Sequence, residues 1–311
     1  MKIAIIGSGA VGAYYGSLLA RVGQEVHFLF NSDYDHVKKH GLQVESPNGD
    51  FSLPKINAYK SAESMPKCDV VIVATKTTVN AELMPRVIPQ VIHENSWILT
   101  LQNGLGLEEF FQEIAPNAKI FGGLCFLCSN KIGDGHIRHI DYGKIKLGHY
   151  SKSGAMGLSS ELQELEALLK RGGIETELSD DIIRARWEKL VWNIPFNGLC
   201  TVMGKTTDQL CGFEHTRSLL FDLMAEVLRG AKLCSYAIPN EFADFMMKLS
   251  DDMEAYSPSM KLDYEGERAM ELDAIYWNAL SQVSSCGGDM PKVRALVQQL
   301  ELMDRDRFRD N

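Results

Sequence analysis

No stretch of this 311-residue sequence reaches the ~18 consecutive apolar residues that a membrane-spanning helix needs. It has no excess of positive charge either. The formal net charge of −9 argues against nucleic acid or an anionic membrane surface as a main partner. A small anion held by a few local donors is still compatible with that balance. A disulfide framework is also missing: the seven cysteines are an odd count with no framework spacing, and read as reduced thiols. Cys125 and Cys128 form a C-x-x-C that His136 and His139 follow. The second pair is H-x-x-H in a strand-like stretch, unlike structural-zinc spacings, so no metal is expected. The opening MKIAIIGSG mimics a short signal peptide, but its apolar run is too short and glycines end it at once. There is no internal repeat and no low-complexity tract. What these absences leave is a globular protein, expected to be cytoplasmic, with small molecules for partners. Its apolar fraction of 45% supplies core enough for two domains.

What is present begins with alternation. Residues 2–6 form a buried-strand run, 7–12 a turn, 13–22 a helix stopped near Gly23, and 25–30 a second strand. Strand, Gly-rich turn, helix and strand in this order make a βαβ unit. Ser32 can cap a helix through Lys39. Two short strands are expected within 42–57, around Pro47-Asn48-Gly49-Asp50. Residues 69–75 (DVVIVAT) read as a strand buried on both faces. A helix to about Ile92, a strand at 97–101, antiparallel strands within 121–147 and a helix at 158–171 follow. Beyond Ser179 no strand pattern remains. Helices are expected at 180–197, 213–236, 240–251, 268–286 and 291–304, with a frayed charged end at 305–311. Pro195 should kink its helix and release the carbonyl of Val191. The fold class is α/β: a Rossmann-type dinucleotide-binding domain over 1–178, then an all-helical domain over 179–311.

Gly7-Ser8-Gly9-Ala10-Val11-Gly12 is G-x-G-x-x-G, following a strand and opening a helix. Gly7 permits the tight turn, Gly9 lets a pyrophosphate approach the backbone, and Gly12 lets helix and sheet pack. The helix N-terminus supplies amides and partial positive charge for phosphate. The choice between NAD and NADP stays open. An acid at the end of the second strand would favour NAD and an arginine NADP, but Asn31-Ser32 stands there. Asp33 comes late and reads as a helix cap. Lys38 and Lys39 could reach a 2′-phosphate but read equally as solvated.

The stretch RARWEKLVWN carries a second signal. Trp187, Leu190, Val191 and Ile194 share one helical face; Arg186, Lys189, Asn193 and Asn197 share another. Pattern alone allows two readings of the polar stripe. It faces solvent, as most charged stripes do, or it faces a cleft with the lysine as a working acid.

The chain resembles the ketopantoate reductases (2-dehydropantoate 2-reductases) nearly end to end. The residues that carry the resemblance are GSGAVG, Ala74-Thr75-Lys76, Gln102-Asn103-Gly104-Leu105-Gly106, Arg186-Trp187-Glu188-Lys189-Leu190 with Asn193, Ser259-Met260, and Glu271-Leu272-Asp273. The resemblance implies a Rossmann domain plus a helical domain of the 6-phosphogluconate dehydrogenase C-terminal type, with the reaction in the cleft they make. It implies reduction of 2-dehydropantoate to pantoate by NADPH, towards pantothenate and coenzyme A. It makes Lys189 the catalytic acid, with Glu271 near the nicotinamide ribose and able to orient the lysine. Asn193 and Asn197 become substrate-binding, Ser259 the receiver of the substrate carboxylate, and Asn103 a contact to nicotinamide and substrate. Lys76 and, through its backbone, Cys128 become cofactor contacts, alongside residues 7–12, Asn31 and Ser32. Two positions depart from the pattern. Asn31 stands where the family usually has an arginine for the 2′-phosphate, and Thr207 stands nearest a further substrate asparagine. NAD is therefore not excluded. Two other readings stay open: a related 2-oxo-acid, β-hydroxyacid or opine-type dehydrogenase, and a dinucleotide sensor without turnover. A homodimer is compatible with the sequence.

Overall fold

The apolar run at the start of the chain becomes the centre of a sheet. In the computed structural model, which describes residues 1–307, Ile3, Ala4, Ile5 and Ile6 are fully buried. A strand covered on both faces needs apolar residues at successive positions, which is why this run does not alternate.

The strands are β1 (Lys2–Ile6), β2 (Glu25–Leu29), β3 (Leu42–Glu45), β4 (Phe51–Leu53), β5 (Asn57–Tyr59), β6 (Cys68–Val73), β7 (Ile92–Thr100), β8 (Lys119–Gly133), β9 (His136–His149) and β10 (Thr176–Ser179). They make one mixed sheet in the order β4-β3-β9-β8-β7-β6-β1-β2-β5, with β10 beside β9. β1 lies parallel to both β2 and β6. The chain goes one way from β1 to reach β2 and the other way to reach β6. Open α/β sheets bind ligands at the carboxyl ends of the strands at such a switch point.

The helices of the first half are α1 (Ala10–Arg21), α2 (Tyr34–His40), α3 (Asn80–Val91), α4 (Leu107–Ile114) and α5 (Ser160–Arg171). Those of the second half are α6 (Ile182–Met203), α7 (Thr207–Cys211), α8 (Glu214–Leu233), α9 (Phe242–Asp251), α10 (Ser259–Glu265), α11 (Asn278–Ser285) and α12 (Pro291–Arg307). The chain divides into two compact units. One is Met1–Gln102 with Leu107–Ile182; the other is Asn103–Gly106 with the chain from Ile183 onward. The first is an α/β unit built on the sheet. The second is helical.

Several elements differ from what the sequence suggests. β5 and β10 are strands of three and four residues that pair in parallel with β2 and β9. Elements so short hold too few alternating positions to announce themselves. α10 was hidden because its buried set mixes Met260 with Lys261 and Asp263. The expected single helix over 268–286 is instead a five-residue π-helical segment, Asp273–Trp277, running into α11. α6 carries Pro195 inside it and continues past the expected end at 197 to Met203. The end expected to fray is helical through Arg307, and 308–311 lie outside the described residues.

In the helical unit, buried Glu226 has a plain structural job. Glu226 of α8 accepts from the backbone amides of Lys292, at 2.9 and 3.1 Å, and Val293, at 3.0 Å. These are the first amides of α12, which have no partners inside their own helix. Glu226→Ala is expected to destabilise this unit by about 1–3 kcal/mol, the cost of stranding buried donors. Urea unfolding of the variant checks this, and an unchanged midpoint would contradict it.

Candidate active site

The glycine turn lies at the carboxyl end of β1, and its three glycines are not equivalent. Gly7 has φ +94° and lies against strand-end backbone, so that a Cβ there would collide with the amide of Thr75. A Cβ on Gly12 would collide with the carbonyl of Gly7. The fold itself therefore requires both. Gly9, the residue that caps α1, is different: a Cβ there would meet nothing within 4 Å. A glycine that the chain does not need, beside the free amides of a helix N-terminus, fits the close approach of a pyrophosphate. Ser8 donates to the carbonyl of Leu29 at 2.9 Å, tying the turn to the end of β2.

Asn31 and Ser32 follow β2 and are exposed. Asp33 stands at the N-cap position of α2, as the sequence suggests, and its carbonyl accepts from the amide of Val37 at 2.9 Å, but its side chain caps nothing there. It is buried and binds the β8–β9 turn. It accepts from the amide of Gly135 at 3.1 Å, from the Lys131 ammonium and from the Ser32 hydroxyl at 2.8 Å. Burial alone would raise its pKa; the hydrogen bonds from Lys131, Gly135 and Ser32 outweigh that and hold it below the usual carboxylate value. Its oxygens are thus already engaged by the fold.

Lys76 follows β6 and caps a short 3-10 turn, half-buried, one residue from the Thr75 backbone that abuts Gly7. Cys128 is half-buried in β8. The next residue, Ser129, donates to the carbonyl of Ala10 at 3.3 Å, so this part of β8 runs beside the first turn of α1. Gln102, after β7, is fixed within the same unit by Thr75 and Asn80, donating to Thr75 O at 2.9 Å and to Asn80 Oδ1 at 2.8 Å. The first unit thus gathers residues 7–12, Ser32, Lys76 and Cys128 around the carboxyl ends of neighbouring strands. No group of three or more His, Cys, Asp or Glu among the described residues is placed to hold a metal.

In the helical unit the polar stripe of α6 is not a solvated face. Arg186 is 1% exposed, Asn193 6% and Asn197 2%, with Lys189 half-buried. Polar groups are kept at such positions only with partners. Asn197 Oδ1 accepts from the amide of Met260 at 3.1 Å, fastening α6 to the start of α10, whose first residue is half-buried Ser259. The Nδ2 of Asn197 keeps two donors to offer beside that engaged oxygen. Tyr276 donates to the carbonyl of Ile194 at 2.9 Å, joining the π-helical segment to α6. Glu271, 5% exposed, lies just before that segment. Burial raises the Tyr276 hydroxyl well above its ordinary pKa and pushes the Cys200 thiol up to about 12. Neither exchanges protons near neutral pH. Thr207 is fully buried, and its hydroxyl accepts from the amide of Tyr256 at 3.2 Å.

Asn103 opens the loop of four residues that packs with the helical unit although both flanks of the chain belong to the other. Sequence reasoning named Asn103 as a candidate but not, as holders of its loop, Arg186 and Asn278, which donate to the carbonyls of Gly104 and Leu105. Arg186 carried a signal, since it shares the stripe with Lys189. Asn278 carried none.

Two family models match the chain, "Ketopantoate reductase PanE/ApbA" over residues 3–152 and "Ketopantoate reductase PanE/ApbA C terminal" over residues 181–304. A 2-dehydropantoate 2-reductase of Nostoc sp. is 46% identical over 304 residues, covering 97% of this chain and 95% of that one. The crystal structure of a 2-dehydropantoate 2-reductase from Geobacter metallireducens superimposes with a TM-score of 0.92 at 39% identity, covering 97% of this chain and 99% of that one. A ternary structure of D-mandelate dehydrogenase with NADH and anilino(oxo)acetate shares the fold, with a TM-score of 0.90 at 23% identity and 99% coverage of both chains.

Proposed function

The chain belongs to the ketopantoate reductase family of oxidoreductases, and from that premise we propose that it reduces the ketone of 2-dehydropantoate to pantoate with NADPH, a step towards pantothenate and coenzyme A. The observation that carries the reading is the burial of the α6 stripe, Lys189 with Asn193 and Asn197. A lysine and two amides withdrawn from water on one helix face suit a polar ligand better than bulk solvent.

Residues 7–12 hold the pyrophosphate through backbone amides, with Asn31 and Ser32 at the adenosine ribose and Lys76 and the Cys128 backbone as further contacts. When bound, the dinucleotide supplies the hydride. Negative charge then develops on the ketone oxygen. The ammonium of Lys189 stabilises that oxygen and gives it a proton. Asn193 hydrogen-bonds the substrate hydroxyl. Asn197, with its oxygen occupied by Met260, donates to the carboxylate together with Ser259. Asn103 contacts nicotinamide and substrate. Glu271 sits near the nicotinamide ribose and orients the lysine.

The cofactor part of the reading rests on few donors at the 2′-phosphate. Asn31 is exposed and brings no charge there. Asn31→Arg is expected to lower KM for NADPH about tenfold, the worth of one charge-assisted hydrogen bond. KM for NADH should change little. Equal change with both cofactors would remove Asn31 from the 2′-phosphate. The reaction itself is tested by product analysis: pantoate should form one for one with NADPH consumed. Dinucleotide consumption without pantoate would refute the substrate.

One observation favours a second reading. Thr207, nearest the family's further substrate asparagine, is fully buried and tied to Tyr256. Buried in this way, it is poorly placed to meet a substrate, which fits a related 2-oxo acid in a pocket of another shape.

A further inference from the structure

The loop Asn103–Gly106 is held by three hydrogen bonds to side chains and backbone of the helical unit. Arg186 Nη1 donates to the carbonyl of Gly104 at 3.0 Å. The amide of Leu105 donates to the carbonyl of Ala274 at 2.8 Å. Asn278 Nδ2 donates to the carbonyl of Leu105 at 2.7 Å. Gly104 has φ +105°, and a Cβ there would collide with the backbone of Ala274. Leu105 is 2% exposed. The neighbour on the other side of the joint, Gln102, is bound as firmly to Thr75 and Asn80 of the sheet unit. The chain thus changes allegiance at one peptide bond.

The anchors are not scattered. Arg186 is one helical turn before Lys189 on α6. Ala274 is three residues after Glu271, and Asn278 one further turn along. We propose that Arg186 and Asn278 are positioning residues: they clamp the Asn103 loop to the two segments that carry Lys189 and Glu271. The placement of Asn103 is then set by the acid's own scaffold and not by the sheet that holds the cofactor turn. This rests on the roles given above to Asn103, Lys189 and Glu271.

The geometry favours this over a purely structural bond. Asn278 is an exposed residue where the π-helical segment runs into α11, and truncation of an exposed side chain ordinarily costs little stability. Its contribution is directional, one donor aimed at one carbonyl. A displacement of about 1 Å in a group that orients substrate can cost up to ~10²-fold in rate.

The experiment is a double-mutant cycle on the full chain with 2-dehydropantoate and NADPH: wild type, Asn278→Ala, Asn103→Ala and both together. Asn278→Ala is expected to lower kcat about tenfold, with KM for NADPH within about twofold and the thermal midpoint nearly unchanged. In the Asn103→Ala background the same change should cost nothing further, because a residue that acts through Asn103 has nothing left to act on. Asn278→Asp, of equal size but without the donor, should match or exceed the alanine variant. An equal loss of kcat in both backgrounds would overturn the proposal, as would wild-type kcat in Asn278→Ala. An inert Asn103→Ala would overturn it too, while wild-type turnover left the proposed reaction standing. Arg186→Lys, which keeps the charge but not the planar fork, should reproduce the loss of kcat wherever it folds.

Discussion

Lys189→Ala is expected to lower kcat by a factor on the order of 10² or more, the usual contribution of a positioned general acid. KM for the dinucleotide should stay close to wild type, because the glycine turn belongs to the other unit. Cys200 of α6 and Tyr276, which is bonded to α6, are held protonated by burial. Asn193 and Asn197 carry no exchangeable charge. Lys189 is the cation on the stripe that is half-buried, where Arg186 is wholly buried and bound to Gly104. Stopped turnover with retained NADPH binding is the predicted pair of results. An unchanged kcat would remove the lysine from the mechanism.

Gly9→Asp is expected to abolish dinucleotide binding while leaving the fold intact. A Cβ at Gly9 meets no atom of the protein, so the substituted chain has room. A carboxylate there would stand against the pyrophosphate at the mouth of α1. Like charges brought together in this way cost several kcal/mol, or on the order of 10²-fold or more in affinity. Gly12→Ala is the informative contrast. Its methyl would press on the carbonyl of Gly7, so it should lose stability along with binding. Calorimetry with NADPH and a thermal melt separate the cases. Normal NADPH affinity in folded Gly9→Asp would sink the assignment of this turn.

The sequence made some of this legible and hid the rest for identifiable reasons. The β1 run and G-x-G-x-x-G could be read because both signals are local: burial on two faces suppresses alternation, and a tight turn into a helix needs glycine. The α6 stripe could be read as a stripe but not as buried. Spacing fixes which residues share a face, not what that face meets. Asp33 read as a cap because caps are local. Its side-chain partners in fact lie at Lys131 and Gly135, about a hundred residues on. The Asn103 loop is the sharpest case. Chain continuity with Gln102 and Leu107 assigns it to the sheet unit, whereas tertiary hydrogen bonds assign it to the helical one. Asn278, the residue that makes one of those bonds, is 173 positions from its partner and has no local pattern.

The most direct test of the central claim is steady-state oxidation of NADPH, and separately of NADH, by the purified chain with 2-dehydropantoate, set beside a panel of other 2-oxo acids. The account predicts saturable turnover with 2-dehydropantoate above every other acid on the panel, and a higher kcat/KM with NADPH than with NADH. Protein that binds a dinucleotide yet leaves 2-dehydropantoate untouched with both cofactors would contradict it.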